Sequence, residues 1–304
     1  MKDLRLITIT LAMMTFVACG PIQRTRQSED TPVRTPETEN LLINLKKVSA
    51  RGFMFGHHDD TNYGIGWEGD EGRSDVKSVC GDYPAVISFD LGHIELGDTM
   101  SLDKVPFTKI RKEILNQYKR GGMSSLSWHL RNPLTGGDSW DVSDTTVVKS
   151  ILPGGANHEK FTGWVSKVSA FINSLQTEEG VKVPVLFRPW HEHTGSWFWW
   201  GEKLCTPEEY KALWHITVDI LRNDGVDNAL YAYSPGSEPQ DTAQYLKRYP
   251  GDELIDLIGF DTYQFERDTY LANLEKSLAI VDSIGKVHNK VIAITETGYE
   301  GYPP

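Results

Sequence analysis

Two glutamates stand where rigid supports would aim them at a common space. Glu192 follows the apolar segment Val183–Phe187, in Arg188-Pro189-Trp190-His191-Glu192, and Glu296 follows Val291–Ile294, in Thr295-Glu296-Thr297-Gly298. Paired carboxyl groups are what cleavage of a glycosidic bond needs. One protonates the leaving oxygen, and the other attacks the sugar carbon or activates a water. Their environments must differ so that one stays protonated and the other ionised. The neighbours suggest such a division. Glu192 lies among Trp190, His191 and His193, a partly apolar setting that favours the protonated acid. Glu296 lies between Thr295 and Thr297, whose hydroxyls can hydrogen-bond a carboxylate and favour its charge.

Aromatic residues gather at the same places. Residues 194–200 read TGSWFWW, and four consecutive large aromatics after a strand end are not expected all to face a core. Trp128, Trp140, Trp67, Tyr63, Tyr263 and Tyr299 also fall at or after strand ends. Flat Trp and Tyr faces suit the C–H faces of sugar rings, while sugar hydroxyls need His, Asp, Arg and Asn partners. A metal-dependent hydrolase is a rival reading, with His57, His58, Asp59, Asp60, His191, His193 and Asp261 as ligands. It lacks an HExxH motif or a Cys/His ligand spacing. A non-catalytic glycan-binding protein would keep the aromatics but need neither glutamate. No GxGxxG and no Walker loop is present, so a nucleotide cofactor has no support. No cofactor or metal is expected.

These residues need a scaffold, and the chain alternates strand and helix patterns from about residue 41. Strand segments are read at 53–55, 85–89, 123–128, 183–187, 229–233, 255–260 and 291–294. Helices are read at 41–50, 106–120, 159–176, 207–223 and 269–288, the fourth opened by a Thr206 cap and Pro207. Short apolar strands separated by helices imply a parallel sheet covered on both faces. Polar and aromatic residues end nearly every strand, as in a (β/α)8 TIM barrel, whereas an open sheet concentrates them at one switch point.

Composition removes other classes. The chain has 304 residues, 31 Lys+Arg against 42 Asp+Glu, a net charge of −11, 39% hydrophobic residues and 11% aromatics. A long disordered chain is poorer in aromatics. An acidic balance argues against a nucleic-acid binder. Three cysteines are too few for a disulfide scaffold.

The segment FRPWHEHTGSWFWWG (187–201) resembles the acid/base motif of glycoside hydrolase family 26. Ser127-Trp128-His129 with Asn132-Pro133, Asp261-Thr262-Tyr263, and Ile294-Thr295-Glu296-Thr297-Gly298 extend the resemblance from about Gly52 to Gly298. That family consists mostly of β-mannanases on (β/α)8 barrels that cleave β-1,4-mannan with retention. The resemblance implies Glu192 as general acid/base and Glu296 as nucleophile, about 5–5.5 Å apart. It further implies His191 beside the acid, Trp197 stacked near the cleaved bond, Tyr263 bonded to the nucleophile and His129 on a bound mannose. Arg188 would orient one of the carboxylates, and Trp128 joins the substrate-binding set. The implied partner is a mannan-type polysaccharide or oligosaccharide met by a monomer. Mixed-linkage β-glucan and β-1,3-xylan are the alternative substrates.

The two ends carry separate signals. Residues 1–18 have a basic start, Lys2 and Arg5, and an apolar run, Leu6–Ala18, too short to span a bilayer. With Cys19-Gly20 they resemble a bacterial lipoprotein signal peptide with Cys19 as the lipidated residue. The expected location is the cell envelope, lipid-anchored on the periplasmic or surface face of the outer membrane. Residues 19–40 read as a flexible tether and 41–304 as the catalytic domain. Cys80 and Cys205 are expected to be small buried hydrophobes rather than a pair. Only seven strands are read where a barrel has eight, so a barrel truncated after strand seven is expected, its C-terminal part missing.

Overall fold

A computed structural model describes residues 34–236 and 239–300. Cys19 and the predicted signal segment lie outside the described residues. Seven parallel strands form one sheet in sequential order. They are β1 (Gly56–His58), β2 (Val86–Asp90), β3 (Met123–Ser127), β4 (Val185–Arg188), β5 (Ala229–Tyr233), β6 (Leu257–Gln264) and β7 (Val291–Tyr299). Helices alternate with them, including Phe107–Lys119, His158–Asn173, Pro207–Asn223 and Arg267–His288. This is the (β/α)8 barrel architecture with seven of its strands described. Among the described residues, no helix is long and apolar enough to cross a membrane.

Side-chain alternation builds two apolar layers. In β4, Val185 and Phe187 join the large core beneath the helices, while Leu186 joins a second cluster with Leu45, Met123, Leu230, Ala232, Leu257 and Val291. That second cluster lies at the starts of the strands and includes Leu41, Leu42 and Leu45 from helix Pro36–Ser49. Helix Pro36–Ser49 therefore plugs the strand-start end of the barrel. It begins well inside the expected tether. Thr35 caps it, the Thr35 amide bonds the Asp227 carbonyl at 3.0 Å, and Arg34 pairs with the buried Asp256 at 2.5 Å. The folded domain thus starts by residue 34 rather than 41. Helix Pro207–Asn223 starts as read, with Thr206 and Glu209 in a reciprocal capping box that stabilises it by about 1 kcal/mol. Neither cysteine is paired; Cys205 is buried as expected, but Cys80 is exposed at the end of helix Asp75–Cys80.

Candidate active site

The period of two that buries Leu186 inside the barrel also turns Arg188 inward. Its guanidinium is almost fully buried. Nη1 donates to Asp261 Oδ2 at 2.7 Å and to Ser234 Oγ at 3.1 Å, and Nη2 donates to Glu296 Oε2. Arg188 therefore joins the C-terminal ends of β4, β5, β6 and β7.

Glu296 reaches this cluster because of a bulge. Phe260 pairs with Ile294, but Asp261 pairs with Glu296, which leaves Thr295 as one extra residue on β7. Val291 and Ala293 face the barrel, whereas Ile292 packs on the helix side. Strict alternation would send Glu296 outward with Ile292. The extra residue reverses the parity, as a one-residue register change must. Thr297 then faces helix Arg267–His288, where its hydroxyl meets Tyr270 at 2.8 Å.

Glu192 sits on a held and strained loop. Trp190 (φ 58°) and Glu192 (φ 53°) both occupy the left-handed region, which costs a non-glycine residue roughly 1–3 kcal/mol. Hydrogen bonds fix each step. Tyr210 donates to the Trp190 carbonyl at 2.7 Å, Trp200 to the His191 carbonyl at 2.8 Å, and the Glu192 amide to the Ser234 carbonyl at 2.8 Å. A Cβ on Gly236 would lie 2.9 Å from Glu192 Cβ, so only glycine leaves room there. Trp197 Nε1 donates to Glu192 Oε2 at 2.8 Å, and Trp197 is 42% exposed at the mouth.

The two glutamates face each other, with one oxygen of each inside a group of atoms no more than 4.8 Å apart; Asp261 completes that group. Their environments push them apart. Burial, reinforced by the charge of Glu296, raises Glu192 above the usual carboxylate range. Burial would raise Glu296 too, but the Arg188 charge and hydrogen bonds from Tyr263 and Arg188 outweigh it and hold Glu296 below its ordinary value. Asp261 is raised by burial, which Arg188 only partly offsets. The result is a carboxyl that holds its proton more tightly opposite one that favours its charge.

The cause of this division differs from the one expected at Glu296. Thr295 donates to Asp261 at 2.6 Å and Thr297 faces Tyr270, so neither flanking hydroxyl serves the carboxylate. Nor do the rings beside Glu192 in sequence surround it. His193 lies between Tyr210 and Tyr233, and Trp190 is fully buried. Trp128 is also a correction: it is 0% exposed, packs on Trp190 and donates to Glu95 at 3.1 Å, so it offers no face to a ligand. Of the four aromatics at 197–200, Phe198, Trp199 and Trp200 are buried in one cluster, leaving Trp197 alone at the surface.

His129 and His191 meet through their Nε2 atoms at 3.0 Å, and Asp90 accepts from His129 Nδ1 at 2.7 Å. Burial and the charges of Arg188 and His129 keep His191 neutral. The half-exposed Trp140 stacks on His129, with an angle of 7° between ring planes and centroids 5.5 Å apart. Trp140 was expected only as one of the strand-end aromatics suited to a sugar face, and Asp90 and Ser234 were not among the expected site residues. The strand-end position of Asp90 and the aromatic character of Trp140 were the only signals the sequence offered. Among the described residues, two clusters have the spacing of metal ligands: Glu192, Asp261 and Glu296, and separately His58, Asp59 and Asp103. Arg188 already neutralises the first, and His58 bridges the second, 3.3 Å from Asp59 and 3.9 Å from Asp103.

Comparison with known proteins identifies the family. The model for glycosyl hydrolase family 26 matches residues 31–299. The solved structure of a GH26 β-mannanase from Bacteroides ovatus is 62% identical with a TM-score of 0.87, over 88% of this chain and 78% of that one. A mannan endo-1,4-β-mannosidase of Bifidobacterium adolescentis is 34% identical over 88% of this chain, and one of Bacillus subtilis strain 168 is 27% identical over 73%. The chain spans 27% and 60% of the lengths of those two relatives. With the family model covering nearly all of the described residues, the chain belongs to glycosyl hydrolase family 26.

Proposed function

We propose that the protein is a retaining β-mannanase that hydrolyses β-1,4-mannosidic bonds in mannan, galactomannan or glucomannan. The observation that carries the mechanism is the close approach of Glu192 and Glu296, whose nearest oxygens are no more than 4.8 Å apart. Inverting glycosidases separate their carboxyl groups by about 6.5–9.5 Å to seat a water between sugar and base, and retaining ones hold them about 5–5.5 Å apart. The mannan preference rests on the names of the relatives.

In the proposed reaction Glu192 gives its proton to the leaving oxygen as Glu296 attacks the anomeric carbon. The C–O bond to the leaving sugar breaks, and an ester to Glu296 forms. Glu192, now a carboxylate, takes a proton from an incoming water, and the water oxygen displaces Glu296. Arg188 and Tyr263 orient the attacking carboxylate. Trp197 orients Glu192 and presents an exposed ring to a sugar face. Proton NMR of the first products from a mannan oligosaccharide tests this reading. The β-anomer should appear first, and initial α-anomer would exclude retention.

We further propose that Cys19 carries a lipid anchor placing the domain at the cell envelope. Loss of fatty-acid labelling and release from the membrane fraction in Cys19→Ser would support it; unchanged labelling would refute it.

A further inference from the structure

Asp90 lies at the end of β2, fully inside the barrel, and its carboxylate is saturated with donors. Oδ1 accepts from the Gly92 amide at 2.6 Å and the His129 amide at 3.2 Å. Oδ2 accepts from Ser127 Oγ at 2.6 Å and from His129 Nδ1 at 2.7 Å. Such a carboxylate is ionised and can only accept. His129 Nδ1 must therefore carry a proton. The contact between His129 Nε2 and His191 Nε2, at 3.0 Å, requires one proton between two nitrogens. His191 is buried, and its Nδ1 has no hydrogen-bond partner among the described residues. The contact with His129 is thus the hydrogen bond that orients the ring preceding Glu192.

We propose that Asp90 is a positioning residue: it fixes His129 as a doubly protonated imidazolium that donates to His191 and keeps a positive charge beside the Glu192–Glu296 pair. The groups that act on His129 charge are Asp90 on β2, Arg188 on β4, His191 on the following loop and Glu296 on β7. Trp140 and Phe198 cover its ring without charge. Burial disfavours the cation, and the Asp90 charge, with help from Glu296, outweighs this. The cation in turn lowers both glutamates. His129 bonds Asp90 through Nδ1 and His191 through Nε2, so its charge lies on the His191 side of its counter-ion.

The inference rests on the proposed roles of Glu192 and Glu296 and deepens them. Asp90→Asn is the discriminating variant. The amide keeps the carboxylate's shape, donates to His129 Nδ1 and leaves a neutral His129 whose Nε2–H still bonds His191. The geometry survives and the charge goes. Both glutamates then rise. The acidic limb of kcat/KM follows ionisation of Glu296 and the alkaline limb follows deprotonation of Glu192, so the whole bell should move up by roughly half a pH unit or more. A merely structural role would lower the bell without moving it, and that result would overturn the proposal. Nitrogen NMR of histidine-labelled wild-type protein at pH 7 gives a reading that does not depend on the variant folding. Both His129 nitrogens should be protonated; a bare Nε2 would overturn the proposal. A wild-type profile that is not bell-shaped would refute the carboxylate roles themselves, whereas a normal wild-type bell unmoved in Asp90→Asn would refute this inference alone.

Discussion

Arg188 binds Glu296 and Asp261 with different nitrogens of one guanidinium, tying β4 to both β6 and β7. The contact fixes the carboxylate's orientation and supplies the charge that keeps it ionised in a buried site. Lysine cannot reproduce the fork. Arg188→Lys should lower kcat/KM by about 10²–10³-fold, the magnitude typical of losing one preorganised donor. Glu296 rises when the Arg188 charge is displaced, so the acidic limb should move to higher pH. A pH–rate profile checks both, and an unmoved acidic limb would remove Arg188 from this role.

The bulge gives a sharper test. Deleting Thr295 restores strict pairing between β6 and β7 and turns Glu296 toward the helices. Hydrolysis should fall to the level of Glu296→Ala. Thr295→Val keeps the extra residue and loses only its bond to Asp261, so it should retain activity within about tenfold. Initial rates on mannan for the three variants decide the matter.

Gly236 leaves space for the main chain of Glu192. Gly236→Ala places a methyl about 3 Å from three Glu192 atoms, and displacing the acid by an ångström should reduce kcat by about 10²-fold. Thermal unfolding should change little, because the contact is confined to the cleft. A large drop in Tm with normal kcat would contradict this.

The carboxylate cluster is balanced by Arg188, and the proposed reaction passes no step through a metal. Exhaustive dialysis against EDTA should leave the rate on mannan unchanged. Loss of activity restored by a divalent ion would contradict that account.

Much of this site was legible in sequence because strand ends are marked by abrupt changes from apolar to polar residues. Arg188, Glu192, Tyr263 and Glu296 all carry that mark, and the structure brings them together. The causes of their chemistry were less legible. Thr295 and Thr297 are adjacent to Glu296 in sequence, but the bulge sends one to Asp261 and alternation sends the other to Tyr270. Trp128 looks like a cleft residue until packing shows its ring closed between Trp190 and Glu95. Asp90 is one acidic residue among 42, and only its four donors, from Gly92, Ser127 and His129, distinguish it. The start of helix Pro36–Ser49 is hidden in the sequence because its first turn is Pro-, Thr- and Glu-rich, a composition shared by tethers and capped helix starts.

The division of labour between the two glutamates separates kinetically. Glu192→Ala removes the acid, so mannan hydrolysis should collapse, while glycosylation by a mannoside with a very acidic leaving group should be largely spared. Glu296→Ala should lose both. Equal losses on both substrates for Glu192→Ala would contradict its role as the acid.

The central claim, that Glu296 forms a covalent bond to the sugar, is tested most directly by trapping. In a 2-deoxy-2-fluoro-β-mannosyl donor the fluorine slows both steps, while a good leaving group restores the rate of the first alone, so the covalent intermediate accumulates. Mass spectrometry of the digested protein should then find one fluorosugar on the peptide containing Glu296. A label on Glu192, or turnover giving α-anomer with no label on any peptide, would contradict the account.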